Sequence, residues 1–125
     1  MEPGHDSKLL RLFIGEADKL GHQPLYEAIL FEAKKQQVAG CTVLRGIMSF
    51  GASSFVHTAK LIEISQDLPI VIEIIDTEDK INAFAEIAGH MLEQTGCGGL
   101  MTIEKASVLY YKPRLQKKNS KNENQ

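Results

Sequence analysis

Nine residues in mid-chain, Gly46-Ile-Met-Ser-Phe-Gly-Ala-Ser-Ser54, come nearest to a recognisable chemistry. Two glycines enclose four residues and hydroxyls follow, which is close to the spacing of a phosphate-cradling loop, G-x-x-x-x-G-K-[ST]. That loop needs a lysine for the β- and γ-phosphates and a helix whose first amides face the phosphate. Here Ala52 holds the lysine position and the following stretch, "FVHTAKLIEIS", has no helical start. A Walker loop is therefore rejected. What remains is a loop bounded by Gly46 and Gly51, with hydroxyls at Ser49, Ser53 and Ser54 and positive charge nearby at Arg45, His57 and Lys60. Exposed amides, hydroxyls and cations can hold an anion without Walker geometry. The competing reading of the same residues is a connector whose glycines only relieve backbone strain.

A second small-residue loop, "TGCGG", places Gly96, Gly98 and Gly99 around Cys97. Taken alone it reads as the chemistry that stops a helix. It reads as a ligand clamp only if it meets the first loop across an interface. His5, His22, His57 and His90 share no metal-ligand spacing, and the two cysteines, Cys41 and Cys97, form no C-x-x-C, so no metal site is assigned. No nucleophile elbow and no locally spaced acid–base pair is present, so no catalytic residue is assigned and the chain is not expected to be an enzyme.

The elements that would carry these loops follow from periodicity. "LLRLFIG", residues 9–15, is a strand ended by a glycine. "EADKLGHQ" is polar and turn-like. Pro24 suits the start of a helix in which Tyr26, Ile29, Leu30 and Ala33 recur at helical spacing, with Gly40 as its stop. "CTVLRGIM" is a second strand, and "KLIEIS" is either a short strand or a stiff arm of the central loop. After the Asp67-Leu68-Pro69 break, "IVIEII" is β-branched and continuous, as a central strand should be. Asp76 or Thr77 can cap the next helix, whose apolar stripe is Ile81, Phe84, Ala85, Ala88, Met91 and Leu92. "LMTIEKASVLYY" supplies the last strand. The order predicts an α+β, ferredoxin-like βαββαβ sandwich, a four-stranded antiparallel sheet with two helices on one face. Its span is residues 8–111, after an N-terminal extension, 1–7, and before a tail, 112–125.

Helices on one face leave the other bare. Strand parity puts Leu9, Arg11 and Phe13 on one side of the first strand, and groups Val43, Arg45 and Ile47 on the second and Val71, Glu73 and Ile75 on the third. One sheet face is thus expected to be apolar apart from Arg11, Arg45 and Glu73. Such a face is too apolar for water and too charged for an interior without pairing. Burial against further copies of the chain, with Arg–Glu pairs across or within subunits, resolves both problems. The alternative is a half-solvated face carrying isolated charges.

Charge sets the remaining bounds. Of 14 Lys and Arg and 16 Asp and Glu, the last fourteen residues hold five basic and one acidic, leaving an acidic body that argues against nucleic acid as a partner. The tail is polar and without apolar periodicity, and is expected to be disordered and solubilising. "MEPGHDSK" has no apolar leader and no run approaches a membrane span, so a reducing cytoplasm with both thiols free is expected.

"LRLFIGEADK", "PLYEAIL", "AGCTVLRGIMSFGASSFVHTAKLIEISQDLPIVIEIID" and "KINAFAEI" closely resemble the PII-like family known as domain of unknown function 190, over about residues 8 to 110. The resemblance implies a ferredoxin-like subunit assembled as a homotrimer whose sheets line its centre. It implies a loop between the second and third strands, residues 49–60, that changes shape with bound nucleotide and docks on a partner. It places Gly46, Ser49, Gly51, Ser53 and Ser54 at one wall of a cleft between subunits, with Gly96, Gly98 and Gly99 approaching from the other side or from the neighbour. The ligand so implied is a small anionic metabolite, an adenine nucleotide, and the partner a membrane transporter or fluoride channel, since family members occur beside or fused to such channels. The loop departs from true PII proteins: Phe50 and Phe55 lack the hydroxyl that uridylylation requires. Two other roles fit the resemblance: an interaction module that needs no ligand, and a metal-binding trimer of the copper-tolerance type using Cys41, His57 or Cys97.

Overall fold

The alternation of apolar and polar residues in "LLRLFIG" makes a strand with one buried side, and β1 takes that form over Asp6–Gly15. A computed structural model describes residues 6–50 and 68–114 of the chain. Within it β1 is followed by a hairpin of two short strands, β2 (Lys19–Leu20) and β3 (Gln23–Pro24). Helix α1 (Leu25–Lys35) comes next, then β4 (Gly40–Arg45), β5 (Pro69–Thr77), helix α2 (Glu78–Thr95) and β6 (Leu100–Ser107). The four long strands form one antiparallel sheet in the order β4-β5-β1-β6. This is the α+β, ferredoxin-like arrangement that the element order predicts. β1 begins two residues ahead of the expected domain boundary at residue 8, with Ser7 already buried.

The core lies between the sheet and the helices. Leu10, Leu12 and Ile14 of β1 and Ile70, Ile72 and Ile74 of β5 point to one side, where Leu25, Ile29 and Ala33 of α1 and Ile81, Phe84 and Ala88 of α2 meet them. All of these are at most 6% exposed. Each fully buried Leu, Ile or Phe contributes about 1.5–3 kcal/mol through removal of apolar surface from water. The α2 stripe matches the predicted one, with Ala85, Met91 and Leu92 packed at its margin.

Three expectations change. Helix α1 does not run to Gly40. It ends at Lys35, where the Val38 N–H donates to the Ala33 carbonyl (3.2 Å) and the Gln37 N–H to the Lys34 carbonyl (3.0 Å). With Gln37 at φ 59°, this is the left-handed termination usually built on glycine, here built on glutamine. Gly40 instead opens β4, against Ile75. The second change is in "EADKLGHQ", whose turn carries the β2–β3 hairpin, with Gly21 at φ 63° between its strands.

Asp76 does not cap α2 by a side-chain bond to the helix amides. Thr77 stands at the N-cap without such a bond. Asp76, 3% exposed, accepts instead from the Ala39 N–H (2.8 Å) and the Thr77 N–H (2.6 Å). It thereby ties the end of β5 to the entry of β4.

Candidate functional site

Three strand ends converge at Gly46. The Gly46 N–H donates to the Pro69 carbonyl (2.7 Å), and the Glu16 N–H to the Leu68 carbonyl (2.8 Å). The first bond closes the chain on either side of residues 47–68 onto itself. It also explains the glycine: a Cβ at position 46 would stand 2.7 Å from Cγ of Pro69, closer than a stiff ring can accommodate. Beyond Gly46 the side chains of Ile47, Met48 and Phe50 are exposed, as is Ser49. Gly51, Ser53, Ser54, His57 and Lys60, together with the "KLIEIS" segment, lie outside the described residues.

Arg45 is at this stem, but not where strand parity put it. It pairs with Ile70, and Val43 with Ile72, so both belong to the side of the sheet that the helices cover; Val43 packs against the core. The open face of β4 carries Thr42, opposite Glu73, and Leu44, opposite Val71. The expected grouping of Arg45 with Arg11 and Glu73 fails because parity fixes which residues of a strand agree with each other, not which set faces the helices. The Arg45 guanidinium donates instead to the Glu16 carboxylate, bridging the end of β5. Sequence reading missed Glu16, since its approach to Arg45 depends on β1 and β4 flanking β5.

On the open face Arg11 and Glu73 do stand opposite each other. Arg11 Nε donates to Glu73 (2.8 Å) and its Nη1 to Glu104 of β6. These bonds, to Glu73 first and then Glu104, hold the guanidinium pKa above its ordinary value. Glu104 was also missed, although it shares parity with Leu100 and Thr102. Around the cluster lie half-buried Leu9, Val71 and Ile75 and exposed Phe13, Leu44 and Leu100. The expected apolar face with paired charge is present, with Glu104 in Arg45's place.

The second glycine loop has mixed duties. Gly96 adopts φ 66° as the C-cap of α2, which is the helix-stop reading. Gly99 packs on the end of β1, where a Cβ would lie 3.2 Å from the Phe13 carbonyl oxygen. Gly98, at φ 78°, has open space where a Cβ would be. This loop and Gly46 are at the same end of the sheet but on opposite edge strands. Three strand spacings, about 14 Å, separate those edges, so within one chain the two loops do not form a common pocket.

Cys41, on the helix-covered side opposite Ile74, is half-buried and burial pushes its thiol pKa up to about 11. Cys97 is exposed, and neither thiol is in a disulfide. Among the described residues no cluster of His, Cys, Asp or Glu is placed to hold a metal ion, and no helix is long and apolar enough to cross a membrane.

The four-stranded antiparallel sheet with two helices on one face is the fold shared with solved PII-like proteins. Among solved structures the chain is similar to CPII of Thiomonas intermedia K12, a nitrogen regulatory PII-like protein, bound to ADP, AMP and bicarbonate. That likeness has TM-score 0.60 and 16% identity over 83% of this chain and 89% of that one. It is also similar to a PII-like signalling protein of Thermus thermophilus, with TM-score 0.53 and 15% identity over 87% of this chain and 94% of that one. At such identities the likeness is one of fold. Residues 7–108 match the model of DUF190, described as an uncharacterized ACR, and a UPF0166 protein of Aquifex aeolicus is 38% identical over 82% of this chain and 93% of its own. The chain belongs to the DUF190 family.

Proposed function

We propose that this chain is a PII-like regulatory subunit that acts as a homotrimer, binds an adenine nucleotide in the cleft between subunits, and signals by binding rather than by catalysis. The observation that carries the reading is the placement of the two glycine loops. Gly46 and Gly98 share one end of the sheet yet stand on opposite edges, so a neighbouring copy is needed to bring such loops together. The open apolar face around Arg11 supplies a reason to associate, since burying it removes apolar surface from water. CPII, which shares the fold, has been seen with ADP and AMP. Arg45, Gly46 and Ser49 then form one wall of the site, and Gly98 of the adjoining subunit the other. Residues 49–60, which leave this wall, transmit the bound state to a partner protein, a membrane transporter or channel, in the cytoplasm. A change of tenfold in partner affinity requires only about 1.4 kcal/mol of differential ligand affinity for two loop states.

Thermal denaturation against a panel of ATP, ADP, AMP and cyclic dinucleotides tests the ligand. Saturation to a hundredfold Kd stabilises the folded form by about 2.7 kcal/mol, so the midpoint should rise by more than ~5 °C. A midpoint that no nucleotide moves would remove the ligand from the reading. A partner captured equally with and without nucleotide would then favour a ligand-independent module.

A further inference from the structure

We infer that Glu16 is a built-in competitor for the anion site: its carboxylate engages Arg45, and only a ligand carrying its own negative charge can displace it. The inference rests on the nucleotide reading above and concerns how that site chooses its ligand.

Glu16 is on the more fixed side of the pair. Its N–H is bonded to the Leu68 carbonyl at 2.8 Å. The turn it opens is pinned by the Gly15 N–H donating to Asp18 Oδ2 (2.8 Å) and the Asp18 N–H to the Gly15 carbonyl (3.2 Å). Its side chain is 26% exposed against 60% for Arg45, so the long arginine is the partner free to swing. Arg45 directly precedes Gly46, whose amide side is already committed to Pro69. At this stem the guanidinium is therefore the group that an incoming phosphate must recruit, and it is already taken. Charge-assisted, forked contacts make guanidinium a good phosphate ligand, while the carboxylate left behind repels the same phosphate. Exposed ion pairs of this kind are weak. A charged ligand can therefore win the exchange at a modest loss of affinity, and a neutral one has nothing to offer Arg45. Glu16 would thus tune the site toward anionic nucleotides and keep Arg45 parked across the end of β5 until one arrives.

Titration calorimetry of ADP, AMP and adenosine against the full chain and its Glu16→Gln variant, at low and at physiological ionic strength, tests this. Glu16→Gln is expected to bind ADP and AMP about two- to fivefold more tightly at low ionic strength, the range that exposed pairs span. The gain should shrink as salt screens the site, and adenosine should be unaffected. In an Arg45→Gln background, where ADP binding is itself weakened, most of the gain should vanish. If Glu16→Gln fails to melt cooperatively, Glu16→Ala takes its place with the same expectation. Wild-type protein that binds ADP while the variant binds it no better, or a gain that extends equally to adenosine, overturns the role of Glu16 and leaves the nucleotide reading standing. Wild-type protein that binds none of the three overturns both.

Discussion

At the scale of single residues, the same arginine chemistry serves two purposes. Arg11 is clamped between Glu73 and Glu104 on a sheet face, while Arg45 is engaged by one carboxylate at an exposed stem. The first is suited to being buried as a satisfied group, the second to being exchanged. The two cysteines diverge in a comparable way. Burial holds Cys41 as a neutral thiol, with a pKa near 11 against an ordinary 9.0, whereas Cys97 is exposed between glycines. The thiolate is the reactive form, so iodoacetamide at pH 8 should label Cys97 at least ~10-fold faster than Cys41, which mass spectrometry of partially labelled protein will read out. The stability consequence has a definite sign. Between about pH 9 and 11 the folded chain keeps the Cys41 proton that the unfolded chain has lost, so stability falls as pH rises through that window. Cys41→Ala should flatten that part of a denaturation profile taken against pH. Equal slopes for wild type and variant would show that Cys41 is not responsible.

At the scale of elements, the α1 terminus is the least economical piece of the fold. A glutamine occupies the left-handed position at φ 59°, a conformation that costs a side chain about 1–2 kcal/mol relative to glycine. It is held there by the two backbone bonds to Ala33 and Lys34 and by Lys80 of α2, whose Nζ donates to the Gln37 carbonyl at 2.8 Å. Gln37→Gly leaves all three bonds in place, since none uses the side chain of residue 37, and relieves the strain. It should raise stability by about 0.5–1 kcal/mol after the extra flexibility of glycine in the unfolded chain is counted. Urea denaturation would show this as a higher midpoint at unchanged slope. A lower midpoint would mean that the Gln37 side chain contributes a contact worth more than the strain. The strand elements show the opposite economy. β5, "PIVIEIIDT", alternates buried Ile70, Ile72, Ile74 and Asp76 with half-buried Val71, Glu73 and Ile75, which is why it forms a central strand with two useful faces.

At the scale of the whole molecule, those two faces set different tasks. One is closed by α1 and α2; the other has Leu9, Phe13, Val71, Ile75, Leu44 and Leu100 around the Arg11 cluster. An unpaired charge added among these apolar residues is the sharpest probe of the proposed assembly. Val71→Glu sits between Phe13 and Leu44 in the register, where a monomer could hydrate the carboxylate but an intersubunit interface could not. Sedimentation should find the wild type as a trimer at micromolar concentration and Val71→Glu shifted toward single subunits, with its α/β circular dichroism retained. A wild type that sediments as a stable monomer would leave no seam between subunits for a ligand.

Much of this protein was legible in the order of its residues. The alternation in β1, the β-branched run of β5 and the 3.6-residue stripe of α2 are local patterns, and local patterns report which elements form and which of their faces are apolar. They also sufficed to mark Gly46 as the start of a small-residue loop and to expect Arg11 and Glu73 on one apolar face. What they left open depended on long-range register. The side of the sheet that Arg45 faces, the approach of Glu16 to it, the addition of Glu104 to the Arg11 cluster and the separation of the two glycine loops all arise once β4, β5, β1 and β6 lie side by side in that order. Strands distant in the chain become neighbours only through hydrogen bonding and core packing, and a shift of one residue in that pairing would exchange every face. Tertiary structure alone made that choice, by seating Val43 and Cys41 against the helices and leaving Thr42 and Leu44 on the open side.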